Sequence, residues 1–495
     1  MNKAVVGAVA LVVVAAGGGV GFAAWSGGKV TSELQSQTAA LLAPFPGIKV
    51  VENSVSKGLF SSVHTVTLDI GCTPALEAPA LQPAVDGAPA GKPLQITWRD
   101  HVRHGPLPGG KGLGLATIDT EFVLPPEAAA QLARLFGDKP FVQVHTALGF
   151  GGTYVSELTS PSFKYAEAGK GDIDWQGLKA TVRGSLTGGV GAGGSYVFEA
   201  PGLSVNFASE QANGTLRVGR IALQGEVSPQ PGASLLLSPG RGTGGIDSIT
   251  FALAPAGGKV MDASIEKLVF DSEAKVDAQG LWSAVSKLGM TGRVDDFAIE
   301  QVDMQVSLNR LHGATYQQLA SRAMQSSFGC HKPGDEAAVR EAAALAEDLQ
   351  KGFTALLAHN PEYALDRLAV RLGGKTAELS YRLGTKGVTE ADGALPLPAL
   401  LGTKGYGAAT FKVEDGWIEQ VVTKVVATKA AAEGVPADET VAQTMAMINA
   451  TLDDLVAKGY VAREGKAVVS KAAFEGGLLK VNDQPLQVPM GMIGK

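Results

Sequence analysis

A chain of 495 residues is too long for one ordinary compact core, and implies two or more domains or one extended sheet structure. Its 45% apolar and 18% charged residues, with 64 glycines and 6% aromatics, suit many short strands joined by tight turns and exclude a fold of long charged helices. The net charge of −6, with none of the 42 lysines and arginines gathered into a dense block, excludes a nucleic-acid binder that rests on phosphate contacts.

The first element is apolar. From Ala4 to Trp25 no charged residue appears, a run about as long as the roughly 20 residues a bilayer-spanning helix requires. A signal peptide has a shorter apolar core and a small-x-small cleavage site, and the only tolerable one is Gly21-Phe22-Ala23. An uncleaved single-pass anchor over residues 4–25 is therefore expected. Lys3 on the short side supports a cytoplasmic N-terminus, with the body from about Gly28 in the periplasm or an equivalent space.

Beyond the anchor, "TSELQSQTAALLAPFPG" reads as a short amphipathic helix closed by Pro44 and Pro46. Strand patterns then take over. His64, Val66, Leu68 and Ile70 share one face of a half-buried strand, with Thr65, Thr67 and Asp69 on the other. The same period of two returns at Leu178, Ala180, Val182, at Leu203, Val205, Phe207, at Val302, Met304, Val306, Leu308, and at Ala377, Leu379, Tyr381, Leu383. Turn signals at Pro201-Gly202 and Asn213-Gly214 favour antiparallel neighbours.

Three helices interrupt the strands. Pro125-Pro126 open one and Gly137 closes it. Asp335 is placed to cap a second with the stripe Val339, Ala342, Ala346, Leu349, Phe353, Leu356. Asp438 is placed to cap a third with the stripe Val441, Met445, Ile448, Leu452, Leu455, ending at Gly459. Each stripe is expected to pack against the sheet. The stretches Thr73 to Lys92 and Ser228 to Gly245 read as surface loops.

The expected fold class is thus α+β and β-rich: a transmembrane helix, then an extended, curved, mostly antiparallel sheet with a few packed helices. The expected division is an anchor over 1–28, a long β portion over 29–330 and an α/β portion over 331–495.

No catalytic, cofactor or metal motif survives a physical reading. Gly105 to Gly112 fits a phosphate loop until Gly112 replaces the magnesium-holding Ser or Thr; Pro106 and Pro108 lack amide hydrogens, and a strand follows where a helix N-terminus is needed. His101 and His104, three apart on a strand, point to opposite faces, and Asp100 and Arg103 read as a solvated strand end. Gly189 to Gly194 satisfies GxGxxG but precedes a strand, and the calcium-like start at Asp172 fails at Gln176 and Arg183. Cys72 and Cys330 lie far apart without CxxC spacing, leaving a single disulfide and two buried thiols equally open.

Several blocks resemble, in order, the YdgA-like family of bacterial proteins of unknown function (DUF945). They are the anchor, "VSKGLFSS" from Val55, "RHGPLP" from Arg103, "DIDWQGLKATV" from Asp172, "APGLSVNF" from Ala200, "LNRLHGA" from Leu308, "LLAHNPEYALDRLAV" from Leu356 and "GGLLKVNDQPL" from Gly476. Asn482-Asp483 stands where the family carries Asn-Gly. The resemblance implies an inner-membrane anchor with an envelope-facing body and brings no catalytic residue with it.

Its sharpest blocks are the candidate positions: Lys57, Gly58, Leu59, Phe60, Ser61 and Ser62, and Arg103, His104, Gly105 and Pro106. Read physically, Gly58 is expected to take a positive backbone angle, the serines to bond nearby backbone, and Pro106 to turn the chain sharply after a strand. Both motifs read as architectural; the opposed reading makes them the mouth of a groove. The expected role is a non-enzymatic envelope protein offering a sheet-lined apolar groove to a lipid or a surface to another envelope protein, or forming a homo-oligomer. A ligand-free assembly scaffold and a hydrolase with scattered carboxylates are the alternatives.

Overall fold

The computed structural model describes residues 49–486 except 59–60, 71–94, 105–112, 186–192, 229–235, 257, 259, 328–335 and 434–435, with a few positions between 35 and 48. In chain order the strands and helices begin with β1 (Lys49–Lys57), β2 (Ser61–Asp69), β3 (Gln95–His104), β4 (Ala116–Val123), α1 (Pro126–Phe136), β5 (Gln143–Leu148), β6 (Thr153–Ser160), β7 (Phe163–Glu167), β8 (Gly171–Trp175), β9 (Leu178–Ser185) and β10 (Gly194–Ala200). Next come β11 (Leu203–Ala208), β12 (Ala212–Val218), β13 (Ile221–Val227), β14 (Gly240–Pro255), β15 (Met261–Val276), β16 (Leu281–Val294), β17 (Phe297–His312), α2 (Gly313–Ser327) and α3 (Glu336–Leu357). The chain continues with β18 (Glu362–Leu372), β19 (Lys375–Thr385), α4 (Leu397–Lys404), β20 (Gly405–Glu414), α5 (Trp417–Glu433), α6 (Ala437–Ala457), β21 (Ala462–Glu464), β22 (Ala467–Glu475), β23 (Leu478–Val481) and β24 (Gln484–Leu486). The protein is β-rich and its pairings are antiparallel, as the alternation of apolar and polar residues predicts.

The chain forms two compact units, each assembled from three segments: residues 1–205, 220–242 and 313–352 in unit 1, and 206–219, 243–312 and 353–495 in unit 2. Residues 328–334, where the sequence suggests a boundary, lie outside the described residues.

In unit 1, β1, β2, β3, β4, β5 and β6 pair in sequence, β6 pairs with β9, β9 with β10 and β10 with β13. The β7–β8 hairpin is an excursion from this meander. One face is the core, with Val66, Leu68, Ile96, Trp98, Val102, Ile118 and Leu148 buried together. Here the expected face of β2 is correct, since His64 and Val66 are fully buried and Leu68 nearly so. The other face is polar, and side chains bridge strands there: His101 to Glu121 at 3.0 Å, His145 to Asp119 at 2.7 Å and the Lys179–Glu157 ion pair at 3.2 Å. Helix α1 runs from Pro126 to Phe136 with Gly137 at φ 63° closing it, as read from sequence, and Phe136 packs edge-on to Phe163 at 4.8 Å.

In unit 2, β15, β16, β17, β18, β19, β20 and β22 pair in sequence, and β22 carries β21 and β23 on its other side. Helix α5 donates the Trp417 indole N–H to the Val370 carbonyl at 3.0 Å. On α6 the residues Val441, Met445, Ile448, Leu452 and Leu455 are half-buried, as expected of the stripe.

Five expectations need correction. Helix α3 turns inward only Leu349 and Leu356 of the stripe predicted for it: Val339 is 68% exposed and Ala342, Ala346 and Phe353 are exposed, while Leu345 and Gly352 join the inward row. Leu345 outweighs the alanines at 342 and 346 in apolar area, and Leu319 approaches Gly352 closely on the inward side. Helix α6 is capped by Pro436, with Asp438 inside its first turn, where a carboxylate still suits the helix dipole. Asn213-Gly214 lies inside β12 and the turn is one step earlier, closed by Ser209 N–H to the Ala212 carbonyl at 2.9 Å. Strand β14 starts at Gly240, so the end of the loop expected to run to Gly245 is strand. Gly58 has no positive φ; its requirement is steric, because a Cβ there would meet the Ser61 carbonyl oxygen at 2.8 Å. At the last hairpin, Asn482 and Asp483 both take positive φ, 45° and 65°, so the two-residue turn keeps its left-handed form with Asp in the place of Gly.

Residues 4–25, with the expected anchor, Cys72 and Cys330 lie outside the described residues. Among the described residues no helix is long and apolar enough to cross a membrane.

Candidate functional site

The two sharpest sequence blocks meet in unit 1. The pairing of β1 with β2 makes Lys57 to Ser62 a hairpin, tied by the Gly58 N–H to the Ser61 carbonyl at 2.7 Å. Pairing of β2 with β3 sets Ser62 opposite Val102, so His104, two residues on, lies diagonally across the same face. The Ser62 hydroxyl and His104 Nε2 are 3.0 Å apart. Lys57 and Arg103 are exposed, and Arg103 reaches Asp119 at 3.5 Å on the polar face. Leu59, Phe60, Gly105 and Pro106 lie outside the described residues. His101 and His104 do point to opposite faces, the first to Glu121 and the second to Ser62.

Beside this pair lies a buried network that the sequence reading missed. Asp100, expected at a solvated strand end, is almost wholly buried, because it alternates with Trp98 and Val102 on the core face. Its Oδ1 accepts from Thr120 at 2.7 Å and its Oδ2 from the Trp98 indole at 3.3 Å, with His64 Nδ1 at 3.2 Å. Asn53 completes the chain. Its Nδ2 donates to the Gln35 carbonyl at 3.1 Å, which turns its Oδ1 toward His64 Nε2 at 2.8 Å, so that ring nitrogen donates. The alternation of Ile96, Trp98, Asp100 and Val102 was the available signal.

This arrangement lacks the parts of an acyl-transfer relay. Ser62 is buried, and the neighbouring carboxylate, Asp100, serves His64 while His104 Nδ1 has no partner among the described residues. Burial holds the His104 imidazole below its ordinary range. Among the described residues no group of three or more His, Cys, Asp or Glu side chains is arranged to hold a metal ion. The Asp172 to Asp174 segment is strand β8, with Asp174 paired to Lys164 at 2.8 Å.

The larger candidate is the sheet of unit 2. Registers align one residue from each of six strands into the row Phe270, Leu288, Met304, Leu368, Leu379, Phe411, and all six are apolar. The next row on that face is Ser272, Ser286, Val306, Leu365, Tyr381, Ala409, and the next Ala274, Ala284, Leu308, Tyr363, Leu383, Gly407. None of these residues is charged. At ~4.8 Å between strands and ~6.8 Å between rows, the three rows cover roughly 24 by 14 Å. The first row contains no buried residue, and Leu383, Phe411 and Tyr363 are 54%, 46% and 40% exposed. The opposite face is polar, with Asp271, Lys287, Gln305 and Arg367 in one row and Arg367 paired to Glu378 at 2.8 Å. Among the described residues this apolar side is partly accessible, Leu365 being the one buried member of the three rows. The sequence reading found the faces of β17 and β19 in this field; the alignment across strands depends on bulges at Glu266/Val269 and Leu365/Leu368, which periodicity alone does not locate.

A family model described as "Bacterial protein of unknown function (DUF945)" matches residues 1–489. No curated protein and no solved structure matches the chain.

Proposed function

Since the chain belongs to DUF945, a bacterial family of unknown function, its role has to be sought in its own surfaces, and we propose that it is a non-enzymatic cell-envelope protein that holds an apolar ligand of the lipid class on the uncharged sheet face of unit 2. In this reading the charge-free run from Ala4 to Trp25 anchors the chain in the inner membrane, and the body stands on the periplasmic side. The observation that carries the reading is the row from Phe270 to Phe411, six apolar side chains on six adjacent strands, none buried. Exposed apolar area of this extent costs solubility unless something covers it. The tether would keep that face within reach of bilayer lipid.

Gentle purification of the full-length chain in amphipol, followed by solvent extraction and mass spectrometry, tests the proposal. Co-purified lipid is expected with the native chain and is expected to fall at least several-fold in the double variant Leu383→Lys, Phe411→Lys, whose positions are exposed enough to accept the change without unfolding. Lipid absent from repeated native preparations, or retained equally by the variant, overturns the reading and favours a ligand-free scaffold.

A further inference from the structure

Two of the blocks that carry the family resemblance, Leu308 to Ala314 and Leu356 to Val370, meet in unit 2 through His312 and His359. Strand β17 ends at His312, β18 begins at Glu362, and the pairing of Asn309 with Glu362 sets the two strand ends side by side. There the two imidazoles stack, with ring centroids 4.1 Å apart and planes 14° from parallel. Both residues are half-buried. The Arg310 guanidinium donates to the His359 carbonyl at 3.0 Å, and Arg310 itself is held at φ 60°, which costs a residue other than glycine some strain. The contacts close a neck, since the chain leaves β17 at His312, runs through α2 and α3, and returns past His359 into β18.

The surroundings of the pair accept one added charge and refuse two. An imidazole can rest on an imidazolium, but two imidazoliums face to face repel, and partial burial weakens the screening between them. Burial, and then His312 beside it, hold the His359 ring below its ordinary range. On β17 the charged neighbour is Arg310, another cation. Opposite His312 on β16 stands Leu281, and Asp277 before that strand already accepts from the Gln279 and Leu281 amides at 2.9 Å. On β18 the Glu362 carboxylate accepts from the Tyr406 hydroxyl of β20 at 2.7 Å. Residues Gly313 to Tyr316, which open α2, and Gly352 to Leu357, which close α3, are uncharged, and the carbonyl end of α3 suits a single cation. Strand β19 and the turn after it add Arg382 and Lys386, both cations.

We propose that the His312–His359 stack is a pH-sensitive clasp on unit 2, closed while the pair holds at most one proton and open once both rings are charged, when the ends of β17 and β18 come apart. The opened neck binds protons more readily than the closed one. Closure is therefore fully supported above about pH 6.5 and is lost as pH falls through that value toward the folded one. The clasp is independent of what covers the apolar rows.

Pulsed hydrogen exchange of the full-length chain in dodecyl maltoside, read by mass spectrometry and corrected for the intrinsic pH dependence of amide exchange, tests the clasp. Protection over residues 305–312 and 354–363 is expected to fall about tenfold between pH 7.5 and pH 5.5, the factor that one pKa unit of linkage supplies, while residues 375–385 of β19 keep theirs. His359→Phe keeps a ring on His312 without the second charge, so its protection is expected to stay flat. Retained protection at 375–385 reports that the variant is folded; where it is lost, His312→Phe takes its place in the same comparison. In the unaltered chain, carrying labelled histidine, the second proton taken up by the pair is expected to coincide with the loss of protection, as read by imidazole carbon shifts. Protection indifferent to pH in the native chain, an equal fall in the phenylalanine variant, or a second proton taken up with the neck still protected overturns the clasp.

Discussion

Asp100 is the residue on which unit 1 places its greatest local demand. It is nearly inaccessible, with the Thr120 hydroxyl and the Trp98 indole donating to it and the His64 ring at 3.2 Å. Removing one member of such a buried pair strands the other in a low-dielectric core. Asp100→Ala is therefore expected to lower stability by about 3–5 kcal/mol, read as a shift of the urea midpoint at constant slope. A cost below about 1 kcal/mol would show that His64 finds another partner. His104 makes a second residue-level prediction. Because burial depresses its folded-state pKa below the ordinary 6.5, the unfolded chain takes up the proton first. Its contribution is intact above that pH and is lost as pH falls through 6.5 toward the folded value. His359 shifts in the same direction, held down by burial and then by His312 stacked at 4.1 Å, so the readout is a difference. His104→Gln is expected to flatten part of the decline in unfolding midpoint between pH 8 and 5.5, and identical slopes would refute the assignment.

At the scale of elements, the close approach of Phe207 to Gly214 shows why a glycine sits in the middle of β12. A Cβ at Gly214 would fall inside the Phe207 ring, so the aromatic covers bare backbone on its neighbour. Gly214→Ala is expected to displace the ring and cost about 1–3 kcal/mol, measured by denaturant unfolding, whereas an alanine tolerated without loss would mean the ring swings away freely. This glycine also shows where sequence reading stops. Asn-Gly is a strong hairpin signal in isolation, yet here the turn is made by Glu210 and Gln211 and the glycine serves packing. The strand faces of β2, β9, β17 and β19 were legible because period two is a local property. The buried carboxylate was legible in part, from its place between Trp98 and Val102, but its partners His64 and Thr120, and the Asn53 that holds His64, come from three other strands. Helix α5 was not legible, since Val421, Val422, Val425 and Val426 are β-branched and favour strand locally. Tertiary packing through Trp417 decides that segment. The long row of unit 2 was half visible, as the separate faces of two strands.

For the molecule as a whole, the apolar start and the amphipathic sheet lead to one physical expectation, that the chain works against a bilayer. Fractionation of cells producing the full-length chain is expected to recover it with membranes and to resist alkaline carbonate, while a chain starting at Gly28 is expected in the soluble fraction. Release of the full-length chain by carbonate would sink the tether.

The interleaving of the two units sets an order on how the chain can be made. Unit 1 takes its last segment, residues 313–352, only after residues 206–219 and 243–312 have been supplied to unit 2. A polypeptide emerging N-terminus first thus completes the meander at β13 but lacks α2 and most of α3 of the same unit until Gly352 has left the ribosome. During that interval the unit is incomplete, and misfolding competes with its completion. Products terminated between Val205 and Gly352 should consequently be insoluble, whatever the stability of the finished molecule.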